Sequence, residues 1–239
     1  MIAVSSTRTL FLEFDAPFAA FRWLQAGVYR GTFPMMPPSA AWGFALNLAG
    51  VETRGSLDEV VTPIRPDAPC LDVAVGVVRS GERSTLYQQL HAYPVGSSGK
   101  ELQARAHGQK YWIAPAKREV LIGLIGVIGV RGDAAIIERI PQGLAGTLEL
   151  DVARYGLPFA GDNQFLFSRI DVIKEDGRAR WFVPLGPGET PTESTRLTTF
   201  IDRGDASRTK APLFAPTPQP CVCPAEAWVT IGPVPSGPS

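Results

Sequence analysis

Histidine, cysteine and net charge are what this chain of 239 residues has least of. Its two histidines, His91 and His107, leave few side chains for proton transfer near neutral pH. The three cysteines (Cys70, Cys221, Cys223) form an odd, sparse set with no disulfide framework. Cys221 and Cys223 make a Cys-x-Cys pair, but no second pair follows at zinc-site spacing, so isolated thiols are expected. The 23 basic and 23 acidic residues cancel, which argues against a protein that scans nucleic acid nonspecifically. A local basic groove stays open only if those charges are segregated. The longest apolar run, Val120 to Val130, falls far short of the ~20 residues a membrane helix requires. No apolar core follows a basic start, so no signal peptide is expected, and the location expected is cytoplasmic with no membrane partner. The phosphate-binding Gly-Lys-Ser/Thr ending, the Gly-x-Ser-x-Gly elbow and any clustered metal-ligand pattern are all missing. Asp162-Asn163 and Asp202 with Asp205 read as loop acids. No metal, ATP or other cofactor is expected.

What is present is enough for one sizeable core. Hydrophobic residues make up 45% of the chain, which excludes wholesale disorder. Arg8 to Phe14 reads as a strand ended by Pro17, and Ser39 to Ala49 as a buried helix capped by Ser39 and closed by Gly50. Gly43 in that helix suggests a close backbone approach. A loop with a helical turn near Leu57 to Val61 leads to a strand, Leu71 to Arg79. Gly81 then suggests a turn, with Ser84 to Tyr93 as the return strand. Glu119 to Arg131, EVLIGLIGVIGVR, reads as a central strand whose glycines let another backbone pass closely. A short helix over Asp133 to Ile140, strand character from Thr147 to Val152, a strand from Gln164 to Ile173 and its return over Arg180 to Pro184 complete the order. That order suits an α+β domain with an antiparallel sheet of modified ferredoxin-like or RRM-like type. The expected division is a sheet domain at 1–184, with an insertion at 95–118, and a Pro/Gly-rich extension at 185–239 whose last residues are disordered.

Charge segregation does occur. Val95 to Arg118 carries Lys100, Arg105, Lys110, Lys117 and Arg118 against Glu101 alone, with His107, Tyr111 and Trp112 interleaved. Cations beside rings suit single-stranded nucleic acid, because the cations meet phosphates while the rings stack on bases. A solvated hairpin whose aromatics pack back on the body predicts the same composition. A second stretch, Phe14 to Gly50, presents Arg22 and Arg30 with Phe21, Trp23 and Tyr29. It fits either an anion-gripping loop or a plain proline-rich cover.

The strand ending in Pro-Phe-Ala-Ala-Phe-Arg (Pro17 to Arg22), followed by the Pro-Pro-Ser-Ala-Ala-Trp-Gly helix (Pro37 to Gly43), resembles the start of CRISPR-associated Cas family five. The likeness is clearest over Arg8 to Gly50 and continues, helped by YGLPFAGDNQFLF (Tyr155 to Phe167), to about Phe182. It implies a subunit of a type I Cascade surveillance complex that holds the 5′ handle of the guide RNA and caps the foot of the complex. The partners implied are the Cascade backbone subunit, the large subunit, and target DNA indirectly through the complex. The resemblance also implies that the 95–118 insertion is a thumb folded over RNA. RNA contacts would fall to Arg22, Arg30, Lys100, Arg105, Lys110, Lys117 and Arg118 at phosphates, and to His107, Tyr111 and Trp112 at bases. Relatives that cut precursor RNA without metal use a tyrosine, a lysine and a histidine, the last two adjacent. This chain has no Lys-His dipeptide, so a non-catalytic clamp is expected. The alternatives are a metal-independent endoribonuclease, with His107, Lys110 and Tyr111 as a substitute constellation, and a protein-only scaffold. Phe18, Phe21 and Met35 are expected to be exposed for a partner.

Overall fold

The computed structural model describes residues 6–26, 29–55, 62–94, 111–150, 156–175, 177–189 and 191–233, with backbone alone at 24–26, 90–94, 111–114 and 206. In chain order the strands and α-helices are β1 (Thr7–Ala19), β2 (Arg22–Ala26), β3 (Tyr29–Thr32), α1 (Pro38–Leu48), β4 (Leu71–Arg79), β5 (Glu82–Pro94), β6 (Tyr111–Asp133), α2 (Ala134–Ile137) and α3 (Arg139–Ala145). There follow β7 (Arg169–Ile173), β8 (Arg180–Pro184), β9 (Thr195–Arg196), β10 (Leu213–Pro216) and β11 (Val229–Ile231).

The long valine- and isoleucine-rich strand β6 is the spine. β1 pairs with its C-terminal half, from Ala19↔Leu121 to Thr7↔Asp133. On the other edge β4 runs from Val77↔Gly126 to Asp72↔Arg131, and β5 continues the same line from Glu82↔Ile122 to Pro94↔Tyr111. With β7 beside β1, the centre reads β7-β1-β6-β4. α1 falls between β1 and β4, and α2 with α3 between β6 and β7. The result is a mixed α+β, sheet-dominated fold with a curled sheet, consistent with the RRM-like expectation.

Several local expectations are corrected. Gly81 is not a hairpin turn: β4 and β5 are collinear along β6, and a Cβ at Gly81 would lie 2.8 Å from Leu121 Cβ. β5 and β6 pair antiparallel, and residues 95–110 between them lie outside the described residues, as does the helical turn expected within 57–61. Pro17 does not end β1, because β7 has already stopped opposite Asp15 and β1 has an open edge there, where proline is tolerated. Pro37, not Ser39, is the N-cap of α1, with Pro38 in the first turn where no intrahelical donor is needed. Gly50 does close the helix: it takes φ 70°, and the Gly50 and Val51 amides donate to the Asn47 and Leu46 carbonyls. A Cβ at Gly43 would meet nothing within 4 Å, so no close approach occurs there. Residues 147–150 are not a strand, and helix α3 fills the preceding segment to Ala145. The strand expected from Gln164 begins only at Arg169.

The 185–239 extension is woven into the sheet as far as it is described. β8 and β11 pair with β4, and β10 joins β8 to β9. Leu197 and Phe214 are fully buried in the same core as Phe14 and α1. On the opposite face Trp181 packs edge-on to Phe11 at 5.8 Å and donates from Nε1 to the Cys221 carbonyl. Trp228 also packs edge-on to Phe11 at 5.8 Å, and the Arg131 guanidinium lies over the Trp228 ring, 4.7 Å from the ring centroid. Cys221 and Cys223 are half-buried free thiols, and burial pushes the Cys223 thiol up to about 12, so it stays protonated.

Candidate nucleic-acid interface

The loop expected between Pro17 and Pro38 is a β-hairpin. β2 and β3 pair antiparallel, and β3 then lies parallel to β6 through Tyr29↔Lys117 and Arg30↔Arg118. Two side chains bolt it down. Thr32 Oγ1 accepts from the Phe21 amide at 2.8 Å, and Glu119 Oε2 accepts from the Thr32 amide at 2.9 Å. Glu119 also pairs with Arg83 of β5 at 2.8 Å, so one carboxylate ties three strands together. Phe21 and Met35 are therefore buried, contrary to expectation, while Phe18 is exposed.

Register then sorts the site onto two faces, because neighbours directly opposite on adjacent strands project to the same side. One row is Tyr29–Lys117–Tyr87, read across β3, β6 and β5. Lys117 is exposed and forms no ion pair with a described residue, and Tyr87 is 80% exposed. Trp23 extends this surface. Its exposed ring lies over Gly31, where a Cβ would sit 3.0 Å from Trp23 Cε3 and 3.5 Å from Tyr29 Cε1. The result is a cation set among three rings, open to solvent.

The next row, Arg30–Arg118–Leu86, projects to the other face. There residues 156–167 fold over the sheet. The Ala20 amide donates to the Ala160 carbonyl, and Gly161, at φ 85°, passes so close that a Cβ there would stand 2.3 Å from the Ala20 oxygen, so only glycine fits. That close approach sets Asp162 2.8 Å from Arg118, with 15% of the arginine side chain and 18% of the aspartate still exposed. Arg118 also sits 6.0 Å from the Phe165 ring, and its buried Nε finds no acceptor among the described residues. Burial lowers the pKa of the Arg118 guanidinium; Asp162 opposes that fall, and the charges of Arg22 and Arg30 deepen it. Gln88 Nε2 donates to Gln164 at 3.2 Å, which joins β5 to the same loop.

The structure thus brings Arg22, Arg30 and Arg118 together and places Lys117 on the reverse side of the arm. Lys100, Arg105, His107 and Lys110 lie outside the described residues, and of Tyr111 and Trp112 only the backbone is described. Tyr87 and Asp162 were missed as site residues, while Trp23 and Tyr29 were noted in the gripping loop but not named as RNA contacts. Tyr87 carried no sequence signal, since a lone tyrosine in a strand reads as ordinary packing. Gly161-Asp162 did carry one, the glycine that a tight backbone approach demands.

No family model matches the sequence, and no curated protein does. Among solved structures, a chain titled "CRISPR RNA-guided surveillance complex" superposes with a TM-score of 0.53 and 16% identity, covering 90% of this chain and 91% of that one. The two chains share a fold. A second structure, "Crystal structure of Cas protein", aligns over 95% of this chain and 100% of its own at 14% identity and a TM-score of 0.45. Among the described residues, no helix is long and apolar enough to cross a membrane.

Proposed function

We propose that this protein is a non-catalytic, RNA-binding subunit of a type I CRISPR Cascade complex, built on a modified ferredoxin-like or RRM-like domain. It grips the 5′ handle of the guide RNA at the foot of the complex, in the cytoplasm, beside the backbone and large subunits. Target DNA is then read by guide pairing and not by this chain. The observation that carries the reading is the Tyr29–Lys117–Tyr87 row with Trp23, an exposed cation among rings on a sheet. Such a surface suits unstacked bases and one phosphate. The fold shared with a surveillance-complex chain supports it. Exposed Phe18, Leu157, Phe159 and Leu166 offer apolar area to the protein neighbours.

The endoribonuclease reading has one specific observation in its favour. Tyr29 and Lys117, two of the three residue types of the cutting relatives, are register partners. The residue after the lysine is Arg118, however, and a guanidinium cannot take a proton from a 2′-hydroxyl. Purified protein mixed with labelled precursor RNA in chelator should shift the RNA and leave it uncut. Tyr87→Ala should weaken that binding about tenfold, the loss of one stacked base. Cleavage in chelator would overturn the non-catalytic reading, and no effect of Tyr87→Ala would remove the aromatic row from the site.

A further inference from the structure

Buried ion pairs are poor devices for stability, since both charges must leave water. The Arg118–Asp162 pair is half-buried and meets part of that cost. Two further guanidiniums, Arg22 and Arg30, act unfavourably on Arg118, and its Nε is buried without a described acceptor. Yet the backbone is built to put Asp162 there. Gly161 adopts a left-handed conformation against Ala20, the Phe165 amide donates to the Asp162 carbonyl, and Ala160 is held at both ends, by Ala20 and by Phe165. A carboxylate so placed has one clear electrostatic effect. It cancels one positive charge on a face where three arginines gather.

We propose that Asp162 is a specificity-determining residue, a fixed counter-charge that keeps the arginine face from binding polyanions indiscriminately. The inference rests on the RNA-binding reading and deepens it. Electrostatic attraction to a phosphate chain is independent of sequence and grows with each uncompensated cation. Base contacts on the Tyr29–Lys117–Tyr87 face carry the selective part of the binding energy. Cancelling Arg118 lowers the first contribution and leaves the second untouched, so the ratio between right and wrong strands rises. Asp162 need not touch RNA to do this.

The test compares wild type, Asp162→Asn and Asp162→Glu for binding to handle RNA, to an unrelated RNA of equal length and to heparin, each across a salt series. Thermal unfolding of all three proteins is measured alongside. Asp162→Asn should tighten heparin and unrelated RNA by about fivefold at low salt, and handle RNA less. The salt slope for RNA should steepen by about 0.7, the value of one added phosphate contact on a single strand. Asp162→Glu should behave as wild type, which a purely steric role for the loop would not produce. An unchanged slope and ratio in a folded Asp162→Asn protein, or weaker binding to all three ligands, would overturn the proposal. Heparin reads the charge alone. Wild type that fails to prefer handle RNA, while Asp162→Asn still tightens heparin, would count against the handle reading and not against the counter-charge.

Discussion

Gly126→Ala should cost about 3 kcal/mol of stability, near the top of what overpacking a core exacts. An ideal Cβ at Gly126 would lie 2.2 Å from Phe14 Cζ and 2.8 Å from both Cε atoms. Phe14 cannot step aside, because it is fully buried and set edge-on to Phe167 at 5.2 Å, which in turn meets Phe44 of α1 at 5.3 Å. The added methyl therefore pushes on a ring that locks β1, the 156–168 segment and α1 together. Denaturant unfolding measures it as a drop in midpoint with little change in slope. Phe14→Leu destabilises by itself, but the double variant should be more stable than the sum of the two losses, by about 1 kcal/mol or more. Simple additivity would mean that the ring and the glycine do not meet.

Trp181→Ala should cost about 3–5 kcal/mol, the range for deleting a large buried aromatic. Trp181 is fully buried, packs over Gly76 of β4 and against Phe11, and donates to the Cys221 carbonyl at 3.0 Å. Its own amide donates to Thr217 Oγ1. The side chain thus pins the extension to the far face of the sheet. Limited proteolysis should cut near residues 217–224 in Trp181→Ala before the remainder of the chain is lost. Trp181→Phe keeps most of the packing and forfeits the indole hydrogen bond, so it should lose only about 1 kcal/mol beyond the smaller ring's area. An unchanged unfolding midpoint in Trp181→Ala would show that the extension does not share the core.

The sequence made the spine and first helix legible because their signals are local. A valine- and isoleucine-rich run names β6, and glycine after an apolar helix names its end. The glycines of β6 were also visible as sites of close approach, but what approaches is side chain: Phe14 at Gly126, Phe11 and Trp228 at Gly129. That distinction lies between elements distant in sequence, where no spacing rule reaches. The collinearity of β4 and β5 stayed hidden for a similar reason. Gly81 has the composition of a turn, and only the pairing of both strands with one continuous β6 converts it to a kink. The extension's proline- and glycine-rich composition resembled a loose tail, although Leu197, Phe214, Ala227 and Ile231 are buried, while Ile201 and Val222 stay exposed. At the candidate site, Arg22, Arg30, Lys117 and Arg118 could be chosen by residue type. Their division between two faces could not, because it depends on one register, Arg30↔Arg118, between strands nearly ninety positions apart.

The most direct test of the account is affinity for a guide RNA with its 5′ handle against the same RNA with the handle removed, at matched length and salt. The account predicts salt-sensitive binding to the first that falls at least tenfold for the second, a difference of about 1.4 kcal/mol. Equal affinity for the two RNAs would contradict it, since the clamp would then be gripping any strand and not the handle.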